Sequence, residues 1–196
     1  MDDGEHELPP GELYAIVDET EARRYERLGF VRQRRESTYV IPVVAIAAEL
    51  PPGFHVLSAV DADLDRLREL DDVLREDLTP GWRWDPAAFL EQTFQPAFDA
   101  RTYLIAAADR EYVAIARAWH NPDGWRLGFV GVRRDQRRHG IGLALLSKVF
   151  GVLLTDGVGT VTAEIDDDNV ASRALFDGLG ARQVRAQIEL RRADGR

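Results

Sequence analysis

The chain has 196 residues, which fits one full domain and at most a fragment of a second. Hydrophobic residues make up 45% and charged residues 30%, which excludes a disordered chain; the net charge of −9 argues against a nucleic-acid binder or a polybasic membrane protein. The absence of cysteine excludes disulfides, thiolate metal ligands and a cysteine nucleophile together.

The first ten residues, MDDGEHELPP, are acidic and lack the apolar core of a signal peptide. Two proline-rich points follow, Pro9-Pro10-Gly11 and Pro51-Pro52-Gly53, and the second reads as a linker. This divides the chain into 1–50, a linker at 51–53, and 54–196. After the linker, Phe54–Val60 has strand character. Ala62–Leu78 has helical spacing, with Leu64, Leu67, Leu70, Val73, Leu74 and Leu78 on one side and Asp61 or Asp63 as cap. Asp85-Pro86 opens a second helix, because aspartate caps and proline fits the first turn; it is expected to run to about Phe98.

Three strand-like runs, Thr102–Ala108, Tyr112–Trp119 and Trp125–Val132, are separated by turn signals and read as an antiparallel meander. Arg133–His139 is a polar loop. Gly140–Leu154 is an almost wholly apolar helix, of the kind that is buried, and no apolar stretch is long enough to span a bilayer. Thr160–Ile165 is a strand. Asn169–Leu179 is a helix with Ala171, Ala174, Leu175 and Leu179 inward, stopped by Gly180, and Gln187–Leu190 closes as a strand. The histidines, His6, His55, His120 and His139, have no metal-ligand spacing, so no metal is expected. The protein reads as cytoplasmic, without membrane or nucleic-acid partners.

The segment that carries chemistry is Leu127–Gly142, LGFVGVRRDQRRHGIG: a strand, then Arg137-x-x-Gly140-x-Gly142, then a helix. A helix N-terminus leaves amides unpaired and favours negative charge. Glycines at 140 and 142 admit a ligand close to the backbone, and Arg137 and Arg138 add charge-assisted donors. A diphosphate suits such a nest. There is no Walker A sequence, and the third glycine of a dinucleotide fingerprint is missing.

This segment resembles the acyl-CoA-binding motif of the GNAT N-acetyltransferase superfamily, Arg/Gln-x-x-Gly-x-Gly/Ala. Downstream, Glu164 to Gly180 is similar to that family's second motif, a strand ending near asparagine and a helix ending in Leu-Gly. The resemblance covers about 54–190 and implies an α/β (α+β mixed-sheet) fold, the GNAT acyl-CoA N-acyltransferase fold. Arg24–Phe30 echoes Leu175–Ala181, pairing Tyr25 with Phe176, so 1–50 reads as a partial GNAT-like repeat; coincidence remains the alternative. Gly81-Trp82-Arg83-Trp84-Asp85-Pro86 also resembles a group of tandem GNAT-like proteins. No counterpart of Arg137–Gly142 precedes Tyr25, and residues 1–50 are expected to pack on the main domain or complete the edge of a homodimer.

The resemblance implies acetyl-CoA as co-substrate, with its pantetheine arm inserted between two splayed strands along Val130, Gly131 and Val132. The Val130 N–H is the implied oxyanion donor. Arg137, Arg138, His139, Gly140, Ile141 and Gly142 hold the diphosphate, and Asn169 and Phe176 lie along the cofactor arm. Glu164 is the implied general base, against the alternative of a sheet-edge carboxylate, with His120 as a competitor. In several family members a tyrosine that protonates the departing thiolate stands where this chain has Phe176. A base is useful because an alkyl amine of pKa about 10.4 is mostly protonated at neutral pH. Trp82, Trp84, Phe89 and Trp119 either line the acceptor site or pack the core. The implied function is acetyl transfer to a primary amine of a small molecule or peptide in a ternary complex. The alternative is a non-catalytic acyl-CoA-binding regulatory module.

Overall fold

The computed structural model describes residues 12–193 except 77, 78 and 80. The acidic start, the 9–11 punctuation and the expected end of the first long helix at Leu78 lie outside the described residues. In chain order the elements are β1 (Glu12–Val17), α1 (Glu19–Arg27), β2 (Val31–Pro42), β3 (Phe54–Ser58), α2 (Leu64–Glu76), α3 (Pro86–Thr93) and β4 (Tyr103–Ala108). Then come β5 (Glu111–Asn121), β6 (Gly124–Val132), α4 (Ile141–Thr155), β7 (Thr160–Asp166), α5 (Val170–Asp177) and β8 (Arg182–Ala193). This is the mixed α/β architecture expected, with the expected order after the linker. The chain forms two compact units, one of the residues up to Val40 with those from Glu164 onward, the other Ile41–Ala163. The 51–53 turn lies inside the second unit.

In the second unit β3, β4, β5 and β6 form the antiparallel meander, and β7 joins β6 in parallel with Thr162 opposite Arg126. Strand alternation sends Tyr103, Ile105 and Ile115 to one face, where they pack with Leu67, Leu70 and Leu74 of α2 and Phe89 of α3. Asp63, rather than Asp61, caps α2, accepting from the Asp65 and Arg66 amides. Asp85 caps α3 as expected, accepting from Ala87 and Ala88. The helix ends at Thr93, short of the expected Phe98, because Pro96 drives Gln95 out of helical geometry. The strand expected to reach Val60 stops at Ser58, whose hydroxyl accepts from the Val60 amide and opens a 3₁₀ turn.

Helix α4 is buried through Ile141, Ala144, Leu145, Leu146, Val149, Phe150 and Leu153. Gly151 sits mid-helix on its exposed side, and a Cβ there would meet nothing within 4 Å. Glycine in a helix interior is worse than alanine by roughly 0.5–1 kcal/mol. Gly151→Ala is therefore expected to stabilise the protein by about that amount, read as a higher urea midpoint at unchanged slope.

The first unit repeats one local construction. In α1, Asp18 accepts from the Glu21 amide; in α5, Asn169 accepts from the Ser172 amide at 3.1 Å. After α1, Leu28 and Phe30 both donate to the Tyr25 carbonyl and Gly29 to that of Glu26; after α5, Leu179 and Ala181 donate to Phe176 and Gly180 to Asp177. Gly29 and Gly180 take left-handed φ values of 86° and 77°, which only glycine adopts without strain. The following strands pair antiparallel with Glu36 opposite Gln187, Arg35 opposite Ile188 and Ser37 opposite Ala186. Corresponding residues of the two segments thus stand across a local two-fold at Glu36–Gln187. The expected inner face of α5 needs correction: Phe176 is its buried residue, while Ala171 and Ala174 are exposed. The closing strand is also longer than Gln187–Leu190, because backbone pairing with β1 and β2 continues through arginine-rich stretches lacking a strand-like hydrophobic pattern.

Candidate active site

The end of β6 and the start of α4 build one continuous backbone surface. Arg133 donates its amide to the Val113 carbonyl at 2.9 Å. Alternation along an antiparallel ladder then turns the Gly131 and Phe129 amides toward β5, and those of Val130 and Val132 away from it. The Val132 carbonyl accepts from Arg137 Nε at 2.9 Å, which ties the loop back onto the strand. A Cβ on Gly142 would lie 3.1 Å from a Val132 methyl, so the first turn of α4 rests directly against β6.

The loop between them is conformationally unusual. Arg138 has φ 70°, in the left-handed region that non-glycine residues seldom occupy, and Gly140 has φ 79°. His139 Nδ1 contacts the Gln136 carbonyl at 3.3 Å. Gly140 caps α4 with no side-chain hydrogen bond, and a Cβ on it would meet nothing within 4 Å. The start of α4 is thus left without a side-chain cap, the arrangement at which a helix N-terminus favours an anion. Arg137, Arg138 and His139 are exposed around it. Arg133 is committed elsewhere, to Glu111 at 2.9 Å and Asp135 at 3.0 Å, which raise its pKa. The Gln136 amide and the Arg133 guanidinium hold the Asp135 carboxyl below its ordinary range. An open groove of about 420 Å³ lies alongside, between Val73, Leu74 and Glu76 of α2, Arg83, and the Arg133–Asp135 turn.

The face covered by α2 and α3 holds the tryptophans. Trp82 and Trp84 meet edge to face at 5.3 Å, and the Arg75 guanidinium lies 5.4 Å and 5.0 Å from their rings and 5.4 Å from Phe129. Trp84 donates its indole N–H to Asp71 at 2.7 Å and its amide to Asp72 at 2.8 Å. Both tryptophans thus form a packed layer around the Asp71–Arg75 pair. Trp119 lies in a different place, over Gly128, where a Cβ would come within 1.7 Å of the indole. Gly128 is the extra residue of a β-bulge, since Arg117 faces Phe129 while Ala118 faces Leu127. His120 is exposed at the end of β5 and meets the Trp125 ring at 5.7 Å. Burial pushes the Tyr103 phenol above its ordinary range.

The structure therefore brings Val130, Gly131 and Val132 together with Arg137–Gly142, and pairs Trp82 with Trp84. Trp119 and His120 stand apart from both groups. Glu164, Asn169 and Phe176 belong to the first unit. Glu164 is exposed on β7, where alternation buries Val161, Ala163 and Ile165 instead. Asn169 Oδ1 serves as the α5 cap, and Phe176 is 5% exposed. Sequence reasoning missed the Gly128 bulge, which a glycine within a strand pattern signals, and the left-handed Arg138, which nothing local announces. Among the described residues no cluster of side chains suits a metal ion, and no helix is long and apolar enough to cross a membrane.

The model of the acetyltransferase (GNAT) family matches residues 67–181, more than half of the chain. The chain belongs to the GNAT family. Members of that family are acyl-CoA N-acyltransferases, and their fold is the one described above. A GNAT protein from Sphaerobacter thermophilus is similar over 94% of this chain and 60% of its own, with a TM-score of 0.76 and 24% identity. A tandem GNAT protein from the clavulanic acid biosynthesis pathway gives a TM-score of 0.69 and 17% identity over 94% of this chain and 65% of that one. A GNAT protein from Kribbella flavida gives 0.60 and 16% over 94% and 68%. The chain thus spans less than two thirds of the length of the first two. No curated protein matches the sequence.

Proposed function

We propose that this protein is an acetyl-CoA-dependent N-acetyltransferase acting on a primary amine of a small molecule or peptide. The observation that supports the reading is the α4 N-terminus at Gly140, without a side-chain cap and reached through left-handed Arg138 and Gly140, with Arg137 tying the loop to the end of β6. In this reading Arg137, Arg138, His139 and the amides of Gly140, Ile141 and Gly142 bind the diphosphate. The backbone of Val130–Val132 orients the pantetheine arm, with the Val130 N–H directed at the thioester oxygen; one such donor is worth about 2.7–4 kcal/mol. Bound acetyl-CoA supplies an activated acetyl group, whose carbonyl carbon gains a bond to the amine nitrogen as its bond to sulfur breaks. Glu164 takes the proton lost by the amine, and water protonates the thiolate, since Phe176 carries no proton to give. Asn169 fixes the start of α5. Of the four side chains expected on the acceptor side, Trp82 and Trp84 pack around the Asp71–Arg75 pair, which leaves Trp119 and His120 for that role.

Residues 1–50 are read as a partial GNAT-like repeat. The shared turn bonds and the Glu36–Gln187 register support this, as does the likeness to a tandem GNAT protein. Calorimetry with acetyl-CoA followed by thiol release across an amine panel tests the activity. Glu164→Gln is expected to keep the acetyl-CoA Kd and to lower kcat by about 10²–10⁴-fold. Tight binding without turnover of any amine would instead favour a binding module, and no binding at all would remove the assignment.

A further inference from the structure

On the α2–α3 face, Arg117 of β5 is 7% exposed and forms no ion pair among the described residues. Its guanidinium lies 5.7 Å from the Tyr103 ring and 5.5 Å from that of Trp119, so it is held by aromatic faces rather than by a carboxylate. Its Nε is buried without a hydrogen-bond partner, and the Thr93 and Tyr103 hydroxyls are buried beside it, with Tyr103 interacting with both Arg117 and Thr93. These three residues line one cleft at the end of α3, together with Phe98, Asp99 and Trp119. The cleft is shallow and opens to solvent, with room at its floor for about one oxygen-sized group. The acid at its rim, Asp99, is engaged by Arg101, which also bridges to Asp156 at 2.8 Å, and Asp71 is paired with Arg75. Arg117 therefore has no direct carboxylate partner in this cleft, and a buried cation without a contacting counter-ion is unfavourable.

We propose that Arg117, with the Thr93 and Tyr103 hydroxyls, forms a carboxylate-binding subsite, so that the amine accepted by this protein also carries a carboxylate. The subsite rests on the N-acetyltransferase reading for its role, though not for its chemistry. Arg117 stands opposite Phe129, adjacent to Val130, and paired strands lie about 4.8 Å apart. A carboxylate at Arg117 and an amine near Val130 then fit one small molecule. The planar guanidinium suits a carboxylate better than a point charge does.

Acetate and acetamide are titrated against the whole protein at constant ionic strength, with tryptophan emission and Tm as readouts. Acetate is expected to shift both and acetamide neither. Arg117→Met is expected to abolish the response. Arg117→Lys, kept as a second variant should methionine unfold the strand, is expected to weaken it about tenfold by losing the planar fork. Equal effects of acetate and acetamide, or an unchanged response in either folded variant, overturn the subsite. In turnover, glycine is expected to exceed glycinamide in kcat/KM about tenfold, with the difference lost through KM in Arg117→Met and the acetyl-CoA Kd unchanged. Acetylation without preference for the carboxylate overturns the subsite and leaves the activity standing. Acetate binding through Arg117 without acetylation of any amine does the reverse.

Discussion

Replacing Asp71 by alanine is expected to destabilise the protein by about 3–5 kcal/mol, the scale seen when one member of a buried ion pair is removed. Asp71 is fully buried on α2. Its Oδ1 accepts from the Trp84 indole and from Arg75, one turn further along the helix. The alanine variant leaves the Arg75 cation among the Trp82, Trp84 and Phe129 rings with no counter-charge, and strands the indole N–H as well. Asp65, on the same helix, has a side chain 88% exposed, and Asp65→Ala is expected to change stability by less than about 0.5 kcal/mol. Urea unfolding of both variants measures the contrast. Adding Arg75→Met to Asp71→Ala is expected to recover part of the loss, because it removes the unpaired charge. An Asp71→Ala protein as stable as Asp65→Ala would mean that the tryptophan layer holds without the ion pair.

The second large effect concerns the nest at the start of α4. Gly140→Val is expected to weaken acetyl-CoA binding by about 1–3 kcal/mol, the cost of forcing a β-branched residue into left-handed backbone. Gly140 has φ 79°, and a Cβ there would meet no neighbouring atom, so the penalty falls on backbone geometry rather than packing. A valine either holds that geometry under strain or relaxes it, and relaxing it turns the amides of the nest out of line. Calorimetry with acetyl-CoA gives the affinity, and thermal unfolding shows whether the protein remains folded. Wild-type affinity in a folded Gly140→Val protein would move the diphosphate site away from this loop. The same comparison at two salt concentrations adds a check, since a charge-assisted diphosphate contact weakens as salt rises.

Much of this was legible in the chain because it is decided locally. Aspartate before proline starts α3, and Asp63 starts α2, through hydrogen bonds that span three residues. The almost uniformly apolar run from Ile141 had to be buried. Gly140 and Gly142 mark, by their lack of a Cβ, a left-handed turn and the close packing of α4 on β6. Even the echo between Arg24–Phe30 and Leu175–Ala181 was readable, and the turn bonds repeat it atom for atom.

Other features arise only when distant segments meet. Arg117 looks like any charged residue in an alternating strand; its burial follows from the covering by α3 and from the bulge at Gly128 that brings Trp119 over the sheet. The arginine-rich part of β8 has no hydrophobic pattern of its own and is a strand because β1 and β2 supply its hydrogen-bond partners. Phe176, rather than the alanines of α5, faces inward because the rotation of a short helix is set by what it packs against. Caps, turns and periodicity are short-range sterics, and so the sequence by itself determined the order of elements and the glycine-marked turn into α4. Strand register, the buried arginine and the inward face of α5 depend on contacts between residues far apart in the chain, and only the tertiary structure decided them.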